Sequence, residues 1–117
     1  MAEPVIKTNL QNYNVGMRFC IALSKGASNG GENVGIRQAA SSLIMSSDYE
    51  VWVKAAHLAA NCYQESQGLE PLTEKQYLDI ADKMGFKAMA ELIALMWESF
   101  EALNTKGLEE VDSEKKN

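Results

Sequence analysis

The sequence has few of the residues that catalytic, metal-binding and disulfide-linked proteins need. It contains one histidine, two cysteines and two prolines in 117 residues. Neither a Cys-x-x-Cys nor a His-x-x-x-His spacing is present, so no structural zinc site is predicted. Cys20 and Cys62 both fall in apolar helical patterns, which predicts buried free thiols in a reducing compartment. The scarcity of proline leaves long stretches free to form helices.

The histidine and the acidic residues form no catalytic pattern. His57 and Cys62 are five positions apart, which places them about 140° apart around one predicted helix and prevents a nucleophile–base pair there. Two acidic pairs have the i, i+3 spacing typical of a solvated helix face: Asp79 with Asp82, and Glu98 with Glu101. The glycine-rich stretch 26–35 lacks the Gly-Lys-Ser/Thr ending of a phosphate-binding loop. We therefore predict a protein that is not an enzyme and takes no metal, cofactor or small-molecule substrate.

Charge and hydropathy disfavour two further classes of partner. Lysine and arginine number 11 against 16 acidic residues, a net charge of −5, and the basic residues are scattered rather than clustered. Nucleic-acid binding depends on clustered basic residues, so no nucleic-acid partner is predicted. The longest uncharged apolar stretch, Leu92–Trp97, is far shorter than the roughly 20 residues of a membrane span. With no signal peptide visible at Met1-Ala2-Glu3-Pro4, the sequence predicts a cytoplasmic protein that is not secreted.

The first two predicted helices are short. The first runs from Asn14 to Lys25-Gly26, where glycine supplies a left-handed cap. Its predicted apolar face consists of Met17, Cys20, Ile21 and Ser24, flanked by Phe19 and Leu23. A loop over Ala27–Gly31 leads to the second helix, from Asn33 to Ile44, which is rich in alanine and serine and must depend on its neighbours for stability.

The later helices have clearer start and stop signals. Ser46-Ser47-Asp48 predicts the N-cap of a third helix that stops at Gly68. That helix is apolar nearly all round, so it lies either at the centre of the domain or against a partner. Thr73-Glu74-Lys75-Gln76 matches a capping box and opens a fourth helix. The last helix runs from Phe86 to about Thr105, and Gly85 either separates these two helices or bends a continuous one.

These elements predict an all-α fold, a compact bundle of about five helices with a short extended N-terminal arm and a disordered polar C-terminal tail. The arm comprises residues 1–13, where Val5 to Thr8 could form a short strand but has no clear hairpin partner. The helical domain spans residues 14–107, and the charged flexible tail spans residues 108–117.

The third and last helices carry more apolar surface than a domain this small can enclose. Tryptophan and methionine are frequent in protein interfaces, so part of this surface is predicted to contact a partner or another subunit. The predicted partner or self-association surface consists of Trp52, Met89, Ile93, Met96, Trp97 and Phe100. The alternative is that these residues contact no partner and form the core of the domain itself.

The order of these features resembles that of a known family across most of residues 5–117. The first helix is entered through Val15-Gly16-Met17-Arg18, and a Gly/Asn loop and a short helix follow. Ser47-Asp48-Tyr49 opens an apolar helix, Leu72-Thr73-Glu74-Lys75-Gln76 opens the next, and a long last helix leads into a lysine-containing tail. This pattern resembles the small tail assembly chaperones of long-tailed bacteriophages, many of which have a strand–turn–strand before the first helix.

The resemblance implies a non-enzymatic protein in the host bacterial cytoplasm. Members of that family accompany the tape measure protein, keep its long apolar helices soluble and help recruit tail tube subunits. They tend to self-associate, so a homo-oligomer is expected. The alternative is a helical adaptor or oligomerisation module of another phage or bacterial system, for example a small regulator.

Overall fold

The computed structural model describes residues 5–26, 41, 43, 45, 48–105 and 107. In chain order these form the strands β1 (Val5–Ile6) and β2 (Tyr13–Asn14) and the helices α1 (Met17–Gly26), α2 (Tyr49–Ser66) and α3 (Glu74–Thr105). The predicted loop at 27–31 and the predicted tail at 108–117 lie outside this range. Of the predicted second helix, only Ser41 and Leu43 are described; both are helical, as is Met45 just beyond it, and Leu43 is buried.

Over the described residues the protein is mostly helical, as predicted, but the expected count of about five helices is wrong. Within the described ranges, three helices with defined bounds and a small sheet are present. One reason is Gly85, because the two helices predicted on either side of it form the single kinked element α3.

The N-terminal arm is a β-hairpin rather than an unpaired extended segment. Val5 pairs with Asn14 and Ile6 with Tyr13 in antiparallel register. The partner strand was missed because it is only two residues long and includes Asn14, the predicted start of the first helix. Tyr13 is fully buried, so this segment forms part of the core and the expected boundary after residue 13 cuts through β2.

The first helix begins three residues later than predicted, at Met17, because Asn14 shapes the turn that precedes it. The Asn14 side-chain oxygen accepts a hydrogen bond from the Gly16 amide at 3.0 Å. The predicted apolar face is also rotated. Phe19 and Cys20 are buried, whereas Met17 and Ile21 are about half exposed. Apolar residues surround this helix, so their spacing alone could not select the inner face.

Helix α2 begins and ends where predicted and lies at the centre of the fold. Asp48 accepts a hydrogen bond from the Glu50 amide at 2.9 Å, as an N-cap does. At the other end, the amides of Gly68 and Leu69 donate to the carbonyls of Glu65 and Gln64, which is the Schellman pattern with glycine at a φ of 70°. The helix contacts β2, α1 and α3. Its buried alanines allow that close approach: Ala55, Ala56, Ala59 and Ala60.

Helix α3 opens with the predicted capping box and is interrupted at Gly85. Thr73 Oγ1 accepts from the Gln76 amide at 3.1 Å, and Gln76 Oε1 accepts from the Thr73 amide at 2.8 Å. Gly85 has φ 80° and ψ 175°, a conformation outside the helical region that is essentially restricted to glycine. The glycine therefore kinks the element, and the second half ends at Thr105 as predicted.

A buried pair of tyrosines joins the hairpin to α3. The hydroxyls of Tyr13 and Tyr77 are 2.8 Å apart, and the Tyr13 hydroxyl donates to Met84 Sδ at 3.4 Å. Since Tyr13 has one hydroxyl proton, Tyr77 is the donor between the two tyrosines. Burial is the main cause of the raised pKa of both tyrosines. Tyr77 also donates a hydrogen bond to Tyr13, and this bond raises the pKa of Tyr77 further.

We expect Tyr13→Phe to destabilise the protein by about 1–3 kcal/mol, because it leaves the buried Tyr77 hydroxyl without its acceptor. Tyr77→Phe should cost less, since Tyr13 can still donate to Met84. The double variant should cost less than the sum of the two single variants. Urea unfolding of the four proteins measures these differences, and strict additivity would contradict the pairing.

The raised pKa values also predict how stability depends on pH. Unfolded tyrosines ionise near their ordinary value of 10.0, whereas the buried hydroxyls stay protonated to higher pH. The stability contributed by the neutral hydroxyls is therefore complete below pH 10 and decreases as the pH rises above it. Unfolding midpoints measured from pH 8 upward should decrease less steeply for Tyr77→Phe than for the native protein.

Candidate partner-binding groove

Three residues of the predicted association surface lie in the core. Met89, Ile93 and Met96 are at most 2% exposed and belong to one apolar cluster with Tyr13, Phe19 and the α2 alanines. They are therefore not on the surface of a single chain. The 3–4 spacing of these three residues marks the inner face of the last helix. The spacing alone does not show whether that face is covered by the same chain or by a partner.

The other three predicted residues are half-buried. The Trp52 indole nitrogen donates to the Leu43 carbonyl at 3.2 Å, and its ring packs against the core. Trp97 and Phe100 contact each other near the C-terminal end of α3, with ring centroids 5.5 Å apart. The structure therefore does not bring the six predicted residues together into one exposed patch.

The side chains with possible catalytic chemistry have structural partners. His57 stacks on Tyr77 at a centroid distance of 5.3 Å, and its Nε2 lies 2.8 Å from the Leu72 carbonyl. The Asn61 amide nitrogen lies 3.1 Å from the same ring nitrogen. Both cysteines are buried and free, and burial raises the pKa of each thiol. Thiolate formation is therefore disfavoured at Cys20 and Cys62.

The Leu72 backbone is held to α2 by a second side chain. Asn61 Oδ1 accepts from the Leu72 amide at 2.7 Å, and Asn61 Nδ2 donates to the Leu72 carbonyl at 3.2 Å. Together with the His57 contact, these bonds connect α2 to the segment that opens α3. Within the described ranges, no three histidine, cysteine or acidic side chains are grouped so that they could hold a metal ion. None of the described helices is long and apolar enough to cross a membrane.

Among the described residues, an open groove with a volume of about 600 Å³ lies between the hairpin and α3. We call it the hairpin groove. Its apolar lining comes from both sides, and two of its leucines, Leu10 and Leu95, are each 44% exposed. The apolar lining residues are Ile6, Leu10, Met84, Ala88, Leu92 and Leu95. The groove therefore offers an apolar surface that a partner side chain can reach.

The hairpin side of the groove is held in place although it is a loop. Thr8 Oγ1 donates to the Gln11 carbonyl at 2.6 Å and accepts from the amides of Leu10 and Gln11. The loop is also tied to α2. Gln11 Nε2 donates to Gln64 Oε1 at 3.1 Å, and Asn12 Nδ2 donates to the Tyr63 hydroxyl at 3.2 Å. The Leu10 wall is therefore preformed, which lowers the entropic cost of binding.

The kink at Gly85 shapes the opposite side. Lys83 and Met84 line the groove from before the kink, and Ala88, Leu92 and Leu95 line it from after the kink. A straight helix would orient these two sets differently relative to the hairpin. The groove could not be predicted from the sequence for this reason, although two signals were visible: Leu10 is apolar within a polar loop, and Leu95 is apolar outside the main stripe of the last helix.

No family model matches the chain, and neither a curated protein nor a solved structure matches it.

Proposed function

We propose that this protein is a non-enzymatic tail assembly chaperone that binds and solubilises the tape measure protein of a bacteriophage tail and helps recruit tail tube subunits. The hairpin groove is the observation that carries the proposal. It is preformed and open, it has an apolar lining, and its volume of about 600 Å³ leaves room for side chains from one face of a bound helix. A chaperone for long apolar helices needs such a surface.

The order of elements supports the same proposal. A strand–turn–strand precedes the first helix in many members of the family that the sequence resembles, and here the hairpin of β1 and β2 precedes α1. The helix opened by Asp48 and the capping box at Thr73–Gln76 follow in the order of that pattern. Self-association is part of the proposal, and three residues of the predicted surface remain partly accessible for it: Trp52, Trp97 and Phe100.

Leu95→Asp is expected to weaken binding of the tape measure chain by about tenfold or more, because it places a carboxylate in the apolar lining where a side chain docks. The measurement is co-expression with a bacteriophage tape measure chain, followed by determination of the soluble fraction and of affinity by titration. Leu78→Asp is the matched control, since Leu78 is 45% exposed, lies on the same element and does not line the groove.

Two results would count against the proposal. The first is that the tape measure chain remains insoluble in the presence of the native protein. The second is that the Leu95→Asp and Leu78→Asp variants bind that chain equally well. The absence of tail tube and tape measure genes beside this one would favour the alternative, a helical adaptor from another system.

A further inference from the structure

The charges on the hairpin groove differ from those of the protein as a whole. The chain has a net charge of −5. The groove, in contrast, is lined by two lysines, Lys7 and Lys83, and by one acidic residue, Glu91. The charge of its lining is therefore positive, opposite in sign to the net charge of the chain.

The two lysines are also available to a partner. The ion pairs between described residues are Arg18 with Glu65 and Lys54 with Glu50. Neither Lys7 nor Lys83 is paired with Glu91 or with another residue in the part of the chain that the structure describes. An unpaired lysine at the edge of an apolar surface can extend over it and contact a carboxylate on a bound segment.

The position of the lysines relative to the apolar lining indicates the pattern of that segment. Lys7 follows Ile6 and Lys83 precedes Met84, so each lysine is next in sequence to an apolar lining residue. A segment that fills the groove would place its apolar side chains on Met84, Leu92 and Leu95, and its flanking residues near the lysines. A bound helix presents such a pattern, with apolar residues at i, i+3 and i+4 and charged residues beside them.

We infer that the hairpin groove selects amphipathic helical segments whose apolar face is flanked by glutamate or aspartate, and that Lys7 and Lys83 provide this selectivity. The inference rests on the proposed function and specifies the chemistry of the partner segment. Apolar contacts supply most of the affinity, whereas the lysines discriminate between acidic and basic segments.

The test uses two fluorescein-labelled model helices of about 18 residues, long enough to form helix. Both carry leucine at i, i+3, i+4 and i+7, with glutamate beside the leucines in one and lysine in the other. We expect the full-length protein to bind the glutamate peptide about tenfold more tightly by fluorescence anisotropy at low salt, with a smaller difference at high salt. The Lys7→Glu/Lys83→Glu double variant should reverse the preference.

The Lys25→Glu/Lys75→Glu double variant is the control for total charge, because both lysines are exposed and neither lines the groove. It should leave the preference unchanged. Equal affinity for the two peptides, tighter binding of the lysine peptide, no binding of either, or an unchanged preference in the Lys7→Glu/Lys83→Glu variant would each overturn the inference. If the peptides bind equally but Leu95→Asp still releases the tape measure chain, only the charge selectivity fails. If Leu95→Asp has no effect on that chain, the proposed function fails.

Discussion

Ile93→Asp is expected to unfold the protein, whereas Leu95→Asp, two positions further along the same helix, is expected to leave it folded. Ile93 is 2% exposed and lies in the apolar core, and Leu95 is 44% exposed at the groove. An unpaired carboxylate in the core costs several kcal/mol, and small domains have a total stability of only about 5–15 kcal/mol. We expect a loss of about 4 kcal/mol or more, measured by circular dichroism and urea unfolding.

This comparison also separates the two interpretations of the apolar stripe in the last helix. If Ile93→Asp remained folded with an unchanged unfolding midpoint but lost partner binding, Ile93 would be a surface residue and the core as described would be wrong. Ile93→Val provides a conservative control. It removes one methylene from a packed position and should cost about 0.5–1.5 kcal/mol without unfolding the protein.

Gly85→Ala is expected to destabilise the protein by about 1–3 kcal/mol, because φ 80° with ψ 175° is a conformation that alanine adopts only under strain. A Cβ added to Gly85 would meet no atom within 4 Å, so a steric clash does not contribute to this cost. The expected loss therefore arises from the backbone alone. Chemical denaturation of the variant beside the native protein measures it.

Two other glycines serve as controls for Gly85. Gly107→Ala should be nearly neutral, since an added Cβ meets no atom within 4 Å and the backbone there is not at positive φ. Gly68→Ala should cost about 1 kcal/mol, and Gly68→Asn should restore part of that loss because asparagine tolerates the left-handed cap. Gly85→Asn should restore little, because asparagine does not favour the conformation found at Gly85. A Gly85→Ala variant more stable than the native protein would indicate a straight helix.

Gly85→Ala should also weaken the binding of a groove ligand, because the kink orients Lys83 and Met84 relative to Leu92 and Leu95. Gly68→Ala also perturbs a backbone at positive φ, but Gly68 lies outside the groove. Under conditions where both variants are fully folded, only Gly85→Ala should lower affinity for the glutamate peptide. An equal loss in both variants would indicate that affinity depends on overall stability and not on groove shape.

Local signals in the sequence correctly predicted the ends of the two long helical elements, α2 and α3. The N-cap at Asp48, the stop at Gly68 and the capping box of Thr73 with Gln76 were all predicted and are all present. Each depends on hydrogen bonds between residues within five positions of one another, so neighbouring residue types are sufficient to identify it. The end of the last helix at Thr105 was predicted in the same way.

The hairpin and the inner face of α1 could not be predicted in this way. The pairing of Val5–Ile6 with Tyr13–Asn14 involves two residues on each strand, and the hairpin is held by contacts with α2 and α3 that are distant in sequence. On α1, apolar side chains at Met17 and Ile21 remained outside while Phe19 and Cys20 became buried. Where apolar residues lie all round a helix, packing against its neighbours decides which of them are buried.

The sequence by itself therefore determined a mostly helical domain, the ends of its two long helical elements and the apolar stripe of the last helix. Only the tertiary structure decided that Met89, Ile93 and Met96 form the core and that Leu10 and Leu95 line a groove. Helix caps are satisfied by nearby backbone groups, whereas burial depends on which distant surface covers a side chain. The groove is the clearest case, because its two walls come from the hairpin and from a helix bent at one glycine.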